Sequence, residues 1–271
     1  EGIFGFGSGV TNITNLISSV GVVASDGTGV GTARQNLAAC EYGGDKGIFG
    51  YGTTGSDSSL TNLVSNAGVV ATDTTGVGTA RKYLAACSYG EDKGIFGYGH
   101  YGSTYTAMTN LVSNAGVVSS DVAGVGTSRI DLAACEYGED KGIFGYGYVQ
   151  HYAVSMTNLV SNTGVVGTDV TGVGTARYGV AAARYSTDKG IFFSHVDTNL
   201  VSNVGVVASD VTAVGTSRNY IAATQYGQDK AIFSYSASVD VTNLVSNTGV
   251  MASDVTGVGT NRGNLAACSF N

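Results

Sequence analysis

Gly76–Gly99 reads GVGTARKYLAACSYGEDKGIFGYG, and variants of this stretch recur five more times along the chain. The strongest anchor is Arg-x-x-apolar-Ala-Ala, at Arg34 (RQNLAAC), Arg81 (RKYLAAC), Arg129 (RIDLAAC), Arg177 (RYGVAAA), Arg218 (RNYIAAT) and Arg262 (RGNLAAC). A second anchor, Thr-Asn-Leu, starts at Thr14, Thr61, Thr109, Thr157, Thr198 and Thr242. Copies lie 41 to 48 residues apart, a period that belongs to propeller blades of four strands. Six copies fill the 271 residues with nothing left over.

One unit can be taken strand by strand. Leu84–Tyr89 (LAACSY) is short, apolar and small-residued, which suits a strand crowded against others at an axis. Gly90–Lys93 is a tight polar turn. Gly94–Tyr98 (GIFGY) is a second strand whose Ile95 and Phe96 fill the layer between units, while its glycines leave room for a neighbouring backbone. In the preceding unit, Thr61–Ser65 (TNLVS) is a third strand, Asn66-Ala67-Gly68 a turn, and Val69–Thr72 (VVAT) a fourth, outermost strand. Asp73–Arg81 is the glycine-rich link to the next unit.

The expected fold is therefore all-β: a six-bladed β-propeller of four-stranded antiparallel blades, forming a single domain over residues 1–271. The termini predict how the ring closes. Glu1–Phe6 (EGIFGF) is a second strand lacking its first, and Leu265–Phe270 (LAACSF) is a first strand lacking its second, so the two should pair. Beginning at Glu1 inside a repeat, without an initiator Met, the chain is expected to be a processed or excised piece.

The unit Arg-x-x-Leu-Ala-Ala-Cys-x-Tyr-Gly-x-Asp-Lys-Gly-Ile-Phe-Gly-Tyr-Gly resembles the kelch repeat. An Arg precedes a small-residued inner strand, and a short turn leads to an aromatic strand ending in glycine. Two departures stand out: the usual double glycine is Gly-Tyr-Gly, and the Trp of the fourth strand is absent throughout. The near-verbatim units also resemble repeat arrays of phage and viral surface proteins. That likeness implies an extracellular or virion-surface setting and no mechanism.

Composition narrows the function classes. With 42 Gly, no Pro, 12% charged and 43% hydrophobic residues, the chain fits many short strands rather than disorder. A net charge of −7 without a basic cluster argues against a nucleic-acid partner. No apolar run approaches the roughly 18 residues of a membrane helix, so no membrane insertion is expected. Cys40, Cys87, Cys135 and Cys268 occupy one repeat position, filled by Ala183 and Thr224 in the other copies. Equivalent positions on separate units are poorly placed for a disulfide, and a packed small residue is the expected role.

The six units act as an internal alignment. The turns GGDK, GEDK, GEDK, STDK and GQDK are nearly constant, as are SNAG, SNTG and SNVG between the third and fourth strands. The loops between second and third strands vary: SGVTNI (Ser8–Ile13), TTGSDSSL (Thr53–Leu60), HYGSTYTAM (His100–Met108), YVQHYAVSM (Tyr148–Met156), SHVD (Ser194–Asp197) and SASVDV (Ser236–Val241). The two residues after each Arg also vary and belong to the same face. Two readings stand: loops drifting freely in solvent, or one face diversified to bind something. The two longest loops tilt the balance toward binding. They hold His100, Tyr101, Tyr105, Tyr148, Gln150, His151 and Tyr152, with His195 in the next loop. Tyrosine is a large, rigid contact residue with one polar tip. These eight residues form the candidate patch for a glycan or protein partner.

The repeated arginines either ring an axial opening and hold an anion, or brace their own units against carbonyls and an Asp such as Asp73 or Asp121. Neither a P-loop, nor HExxH, nor a Gly-x-Ser-x-Gly elbow occurs, and Gly-Val-Gly-Thr-Ala-Arg lacks the Lys-Ser/Thr of a nucleotide loop. Three His on separate loops lack metal-ligand spacing. The expectation is a binding module without catalytic residues, metal or cofactor; a scaffold without a ligand, or an enzyme with one asymmetric site, are the alternatives.

Overall fold

The computed structural model describes residues 1–270, which contain no helix and fold into small antiparallel sheets. In the repeat that opens at Arg81, Ala85–Tyr89 pairs with Lys93–Gly97, which pairs with Thr109–Val112 on its other side. The strands opening at Ala38, Ala133, Ala181 and Ala222 begin sheets of the same order. A further sheet draws on both ends of the chain. Gly2–Gly7 pairs with Thr11–Ile17 and with Ala266–Ser269, Gly2 standing opposite Ser269 and Gly5 opposite Ala266. The expected pairing of the termini is present.

The fourth strand departs from expectation. Five of these sheets have three strands, and Val69–Thr72 is reduced to a single bridge between Val64 and Val70. Among the described residues, only the repeat opening at Arg177 carries a fourth strand, Val211–Thr212, against Asp197 and Thr198. Where the ladder stops, Asn62 Nδ2 donates to the Ala71 carbonyl at 3.0 Å and to Asp73 at 2.9 Å; Asn199 does the same to Ala208 and Asp210, and Val211–Thr212 follows only beyond it. A side chain thus takes an acceptor that a longer ladder would use, and turns the chain into the link.

Ile95 and Phe96 are adjacent in sequence and both fully buried, because both faces of the sheet are covered. A Cβ on Gly50 would stand 2.6 Å from the Phe96 ring, and one on Gly94 only 2.5 Å from the Cys40 sulfur. Four interfaces between successive sheets interlock twice in this way: a Phe seated on the earlier sheet's glycine, and a Cys seated on the later one's. The first strands touch in sequence, Ala38–Tyr42 against Ala85–Tyr89 and so on to Ala266–Ser269, which returns to Ala38–Tyr42.

A chain of backbone hydrogen bonds follows the same circuit. Tyr83 N donates to Asn36 O at 3.0 Å, Asp131 N to Tyr83 O at 3.2 Å, and Gly179 N to Asp131 O at 2.9 Å. Tyr220 N donates to Gly179 O at 2.9 Å, Asn264 N to Tyr220 O at 3.0 Å, and Asn36 N to Asn264 O at 2.9 Å. All six residues have left-handed backbone, with φ between 52° and 63°. Asn, Asp and Gly adopt it readily; Tyr83 and Tyr220 hold it against their preference.

The arginines brace. Arg129 is fully buried. It donates to the Tyr146, Thr127 and Asn158 oxygens at 2.9, 3.1 and 2.7 Å, and its guanidinium lies 4.3 Å from the centre of the Tyr98 ring in the preceding sheet. Asp169 accepts from Thr127 N and Oγ1, tying the incoming link to the same cluster. Tyr98 returns a bond to the Val125 carbonyl at 3.2 Å. One Arg thus joins two sheets and a link.

Candidate functional site

The two near-constant turns lie together, Asn66 Nδ2 donating to Asp45 at 3.1 Å and Asn114 Nδ2 to Asp92 at 3.0 Å. The variable loops lie with the residues after each Arg: Gln35 bridges Thr53, Lys82 bridges His100, Ile130 bridges Tyr148, and Arg218 bridges His195. In the two longest loops the chain forms small hairpins, His100–Tyr101 on Thr104–Tyr105 and Tyr148–Val149 on Tyr152–Ala153. Asp57 fixes the first hairpin by accepting from Gly102 N at 3.0 Å and pairing with Lys82 at 2.9 Å.

Between the hairpins lies an open cleft of about 710 Å³, bordered by Tyr105, Thr127, Ser128, Val149, Gln150 and His151. Of the candidate residues, the structure brings Tyr105, Gln150 and His151 together here. His100 stands behind, edge-on to Tyr105 with ring centres 5.4 Å apart, and its Nδ1 is buried without a partner. Burial raises the Tyr105 hydroxyl, helped by Tyr148 and Asp131 nearby. Tyr101 pairs with the cleft-lining Thr104 but does not itself border the cleft, and Tyr152 is 61% exposed. His195 occupies a separate hollow of about 260 Å³ with Tyr178 and Asp197.

Tyr148 leads elsewhere. Its ring is edge-on to Tyr178 at 5.2 Å, and Tyr178 is edge-on to Tyr220 at 6.2 Å, so an aromatic row runs from the hairpin to the mouth of the axial passage. That mouth is a cavity of about 70 Å³ lined by the second residue after each Arg: Asn36, Tyr83, Asp131, Gly179, Tyr220 and Asn264. Burial alone pushes the Asp131 carboxyl up to about 7. Tyr220 is raised by its own burial and by Asp131 and the neighbouring tyrosines. Tyr83, Asp131, Tyr178 and Tyr220 are absent from the candidate patch. Their one signal was variation after each Arg, which places them on this face but does not show that every second residue turns to the axis.

The other end of the passage is a cavity of about 100 Å³, ringed by Glu41, Ser88, Glu136, Arg184, Gln225 and Ser269. Here the polar groups satisfy one another. Arg184 pairs with Glu136 at 3.1 Å and donates to Gln225, and Ser269 donates to Glu41 at 2.6 Å. Burial still pushes Glu136 up to about 7, against the pull of Arg184.

Ser194 Oγ lies 3.1 Å from His195 Nδ1 with Asp197 close by, yet Ser194 is fully buried and cannot meet a substrate. The cysteines are unpaired and buried, and burial pushes the Cys40 and Cys135 thiols up to about 12, far from a reactive thiolate. Among the described residues no three His, Cys, Asp or Glu side chains gather as a metal site. No helix is long and apolar enough to cross a membrane. A scan against protein-family models finds no match for the chain, and neither does a search of curated proteins.

Proposed function

We propose that the chain is a kelch-like, six-bladed β-propeller in a single domain, acting as a non-catalytic recognition module whose variable-loop face binds a glycan at a cell or virion surface. The circuit of first strands and the chain of backbone bonds from Asn36 to Asn264 and back support the ring. The observation that carries the binding reading is the cleft between the hairpins, where Tyr105, Gln150 and His151 converge. Sugars are held by aromatic faces against their C–H surfaces and by polar side chains against their hydroxyls, and this cleft offers both.

The test is a glycan array and host surface extracts probed with purified protein, alongside a variant with Tyr101, Tyr105, Tyr148 and Tyr152 all changed to Ala. Specific glycan binding by the native chain, lost in the variant while circular dichroism is unchanged, is the expected result. Binding that survives the change moves the site elsewhere; binding only to a protein component makes the partner a protein. A scaffold role is favoured by one observation: Val22, Val69, Val117, Val165, Val206 and Val250 repeat around the outer edge at 62 to 65% exposure. A blank on both screens from folded protein selects that reading.

A further inference from the structure

We propose that the axial mouth bounded by Asn36, Asp131 and Tyr220 is a second site on this face, binding one primary ammonium group from an amino sugar or a lysine side chain. Its residues come from three different repeats, and the backbone bonds linking the six repeats hold them in place. It does not rest on the loop cleft binding anything.

Asn36 is only 8% exposed, lines the cavity, and its Oδ1 has no hydrogen-bond partner. A buried acceptor left unpaired is costly, and one facing a cavity is ready for a donor from outside. Asp131 lines the same cavity, and among the described residues no cation pairs with it and no donor reaches its carboxylate. Gly179 stands between Asp131 and Tyr220 in the ring and adds no side chain, and Tyr220 and Asn219 close in on the space its Cβ would take, 3.2 to 3.4 Å away. The Tyr178 ring is edge-on to Tyr220 and continues outward to Tyr148.

The size and chemistry select the ligand. About 70 Å³ admits a headgroup with one accompanying water, and no sugar ring. An ammonium has three donors and no acceptor, which matches a carboxylate, an amide oxygen and a tyrosine hydroxyl. An anion would meet Asp131 in repulsion. A neutral hydroxyl would leave its charge uncompensated. A divalent cation demands six or more oxygens, several of them charged, and one carboxylate falls short. The opposite mouth shows the contrast, since Arg184 already occupies the cationic role there.

The experiment titrates the full chain with methylammonium, glucosamine, N-acetylglucosamine and Nα-acetyl-lysine methylamide at about pH 8, read by tyrosine fluorescence and calorimetry. Methylammonium and glucosamine should bind, and N-acetylglucosamine, which lacks the charge, should bind at least about tenfold more weakly. Asp131→Asn, isosteric and at ease in left-handed backbone, should weaken both amines at least about tenfold, and Tyr220→Phe by a few fold. Glucosamine tighter than the lysine derivative assigns an amino sugar; the reverse order assigns a protein lysine, and either supports the site. Equal binding of glucosamine and its N-acetyl form overturns the proposal. So does undiminished amine binding by folded Asp131→Asn, or no binding of either amine to folded native protein at about 50 mM. Tyr105→Ala with His151→Ala, which leaves Tyr148 and Tyr178 in place, should lose loop-cleft glycan binding and keep methylammonium binding, so the two readings fail separately.

Discussion

The two ends of the axial passage are built on the same first strands and differ in what they leave unmet. At the constant-turn end, Arg184 meets Glu136 and Gln225, and Ser269 meets Glu41. At the variable end, Asp131 and Asn36 line a cavity with no partner for the carboxylate or for Oδ1. Both ends bury acids whose carboxyls sit at about 7, so burial alone does not separate them. The counter-charge does. An end whose charges cancel is a plug, and an end with a lone carboxylate facing a cavity is a receptor, because only the second gains from a visitor.

The comparison assumes a rigid frame between the ends, and the largest effect should come from disturbing it. A Cβ at Gly142 would stand 2.5 Å from the Cys87 sulfur. Gly142→Ala should therefore cost about 3 kcal/mol in urea unfolding, from overpacking against a short side chain that cannot swing away. Cys87→Ala in the same chain should restore most of it. The protein already carries that solution once: Ala231 stands where other units have Gly, and the residue facing it from the earlier sheet is Ala183 instead of Cys. A double-mutant cycle without coupling would mean the sheets are not locked by this contact.

Next in size is the plug. Arg184→Gln leaves Glu136 without a cation and Glu41 with only the N-terminal ammonium, and should cost about 2 kcal/mol at pH 8. At pH 5 the Glu136 carboxyl, which sits at about 7, holds its proton and the loss should shrink. Equal loss at both pH values would show that Arg184 acts through packing.

The smallest effect has the opposite sign. Asp131 ionises at about 7 in the folded chain against an ordinary carboxylate value near 4, so the folded state holds the proton more tightly than the unfolded state. Its contribution to stability is therefore greatest below the ordinary range and declines as pH rises from about 4 to about 7. Asp131→Asn should remove that decline, raising stability by about 1 kcal/mol at pH 8 and leaving it near native at pH 4. Thermal melts at the two pH values read this directly. A variant less stable at pH 8 would mean the carboxylate is already partnered, and the contrast between the ends would collapse. A group that lowers stability in the free protein is one whose value lies in binding.

Periodicity alone determined the repeat, its strands, and the pairing of Gly2–Gly7 with Ala266–Ser269, because a unit that cannot bury its own faces must stack on copies of itself, and the copies are legible. The same alignment marked one face as variable. It overstated the outer strand: Val69 and Val70 alternate as a strand should, while the Asn62 amide that takes the Ala71 carbonyl belongs to tertiary structure. It left the arginines open between brace and anion ring, since Arg129 meets Asn158, Tyr146 and the Tyr98 ring only once the sheets are assembled. The candidate patch was chosen by residue type, and the folded chain divides it: Tyr105, Gln150 and His151 share a cleft while His195 stands apart. Asp131 was invisible for a further reason. Its left-handed backbone, set by the bonds from its neighbours in the ring, turns it to the axis, and residues that meet there are 41 to 48 positions apart in sequence. Spacing fixes what repeats; only assembly decides what the repeats enclose.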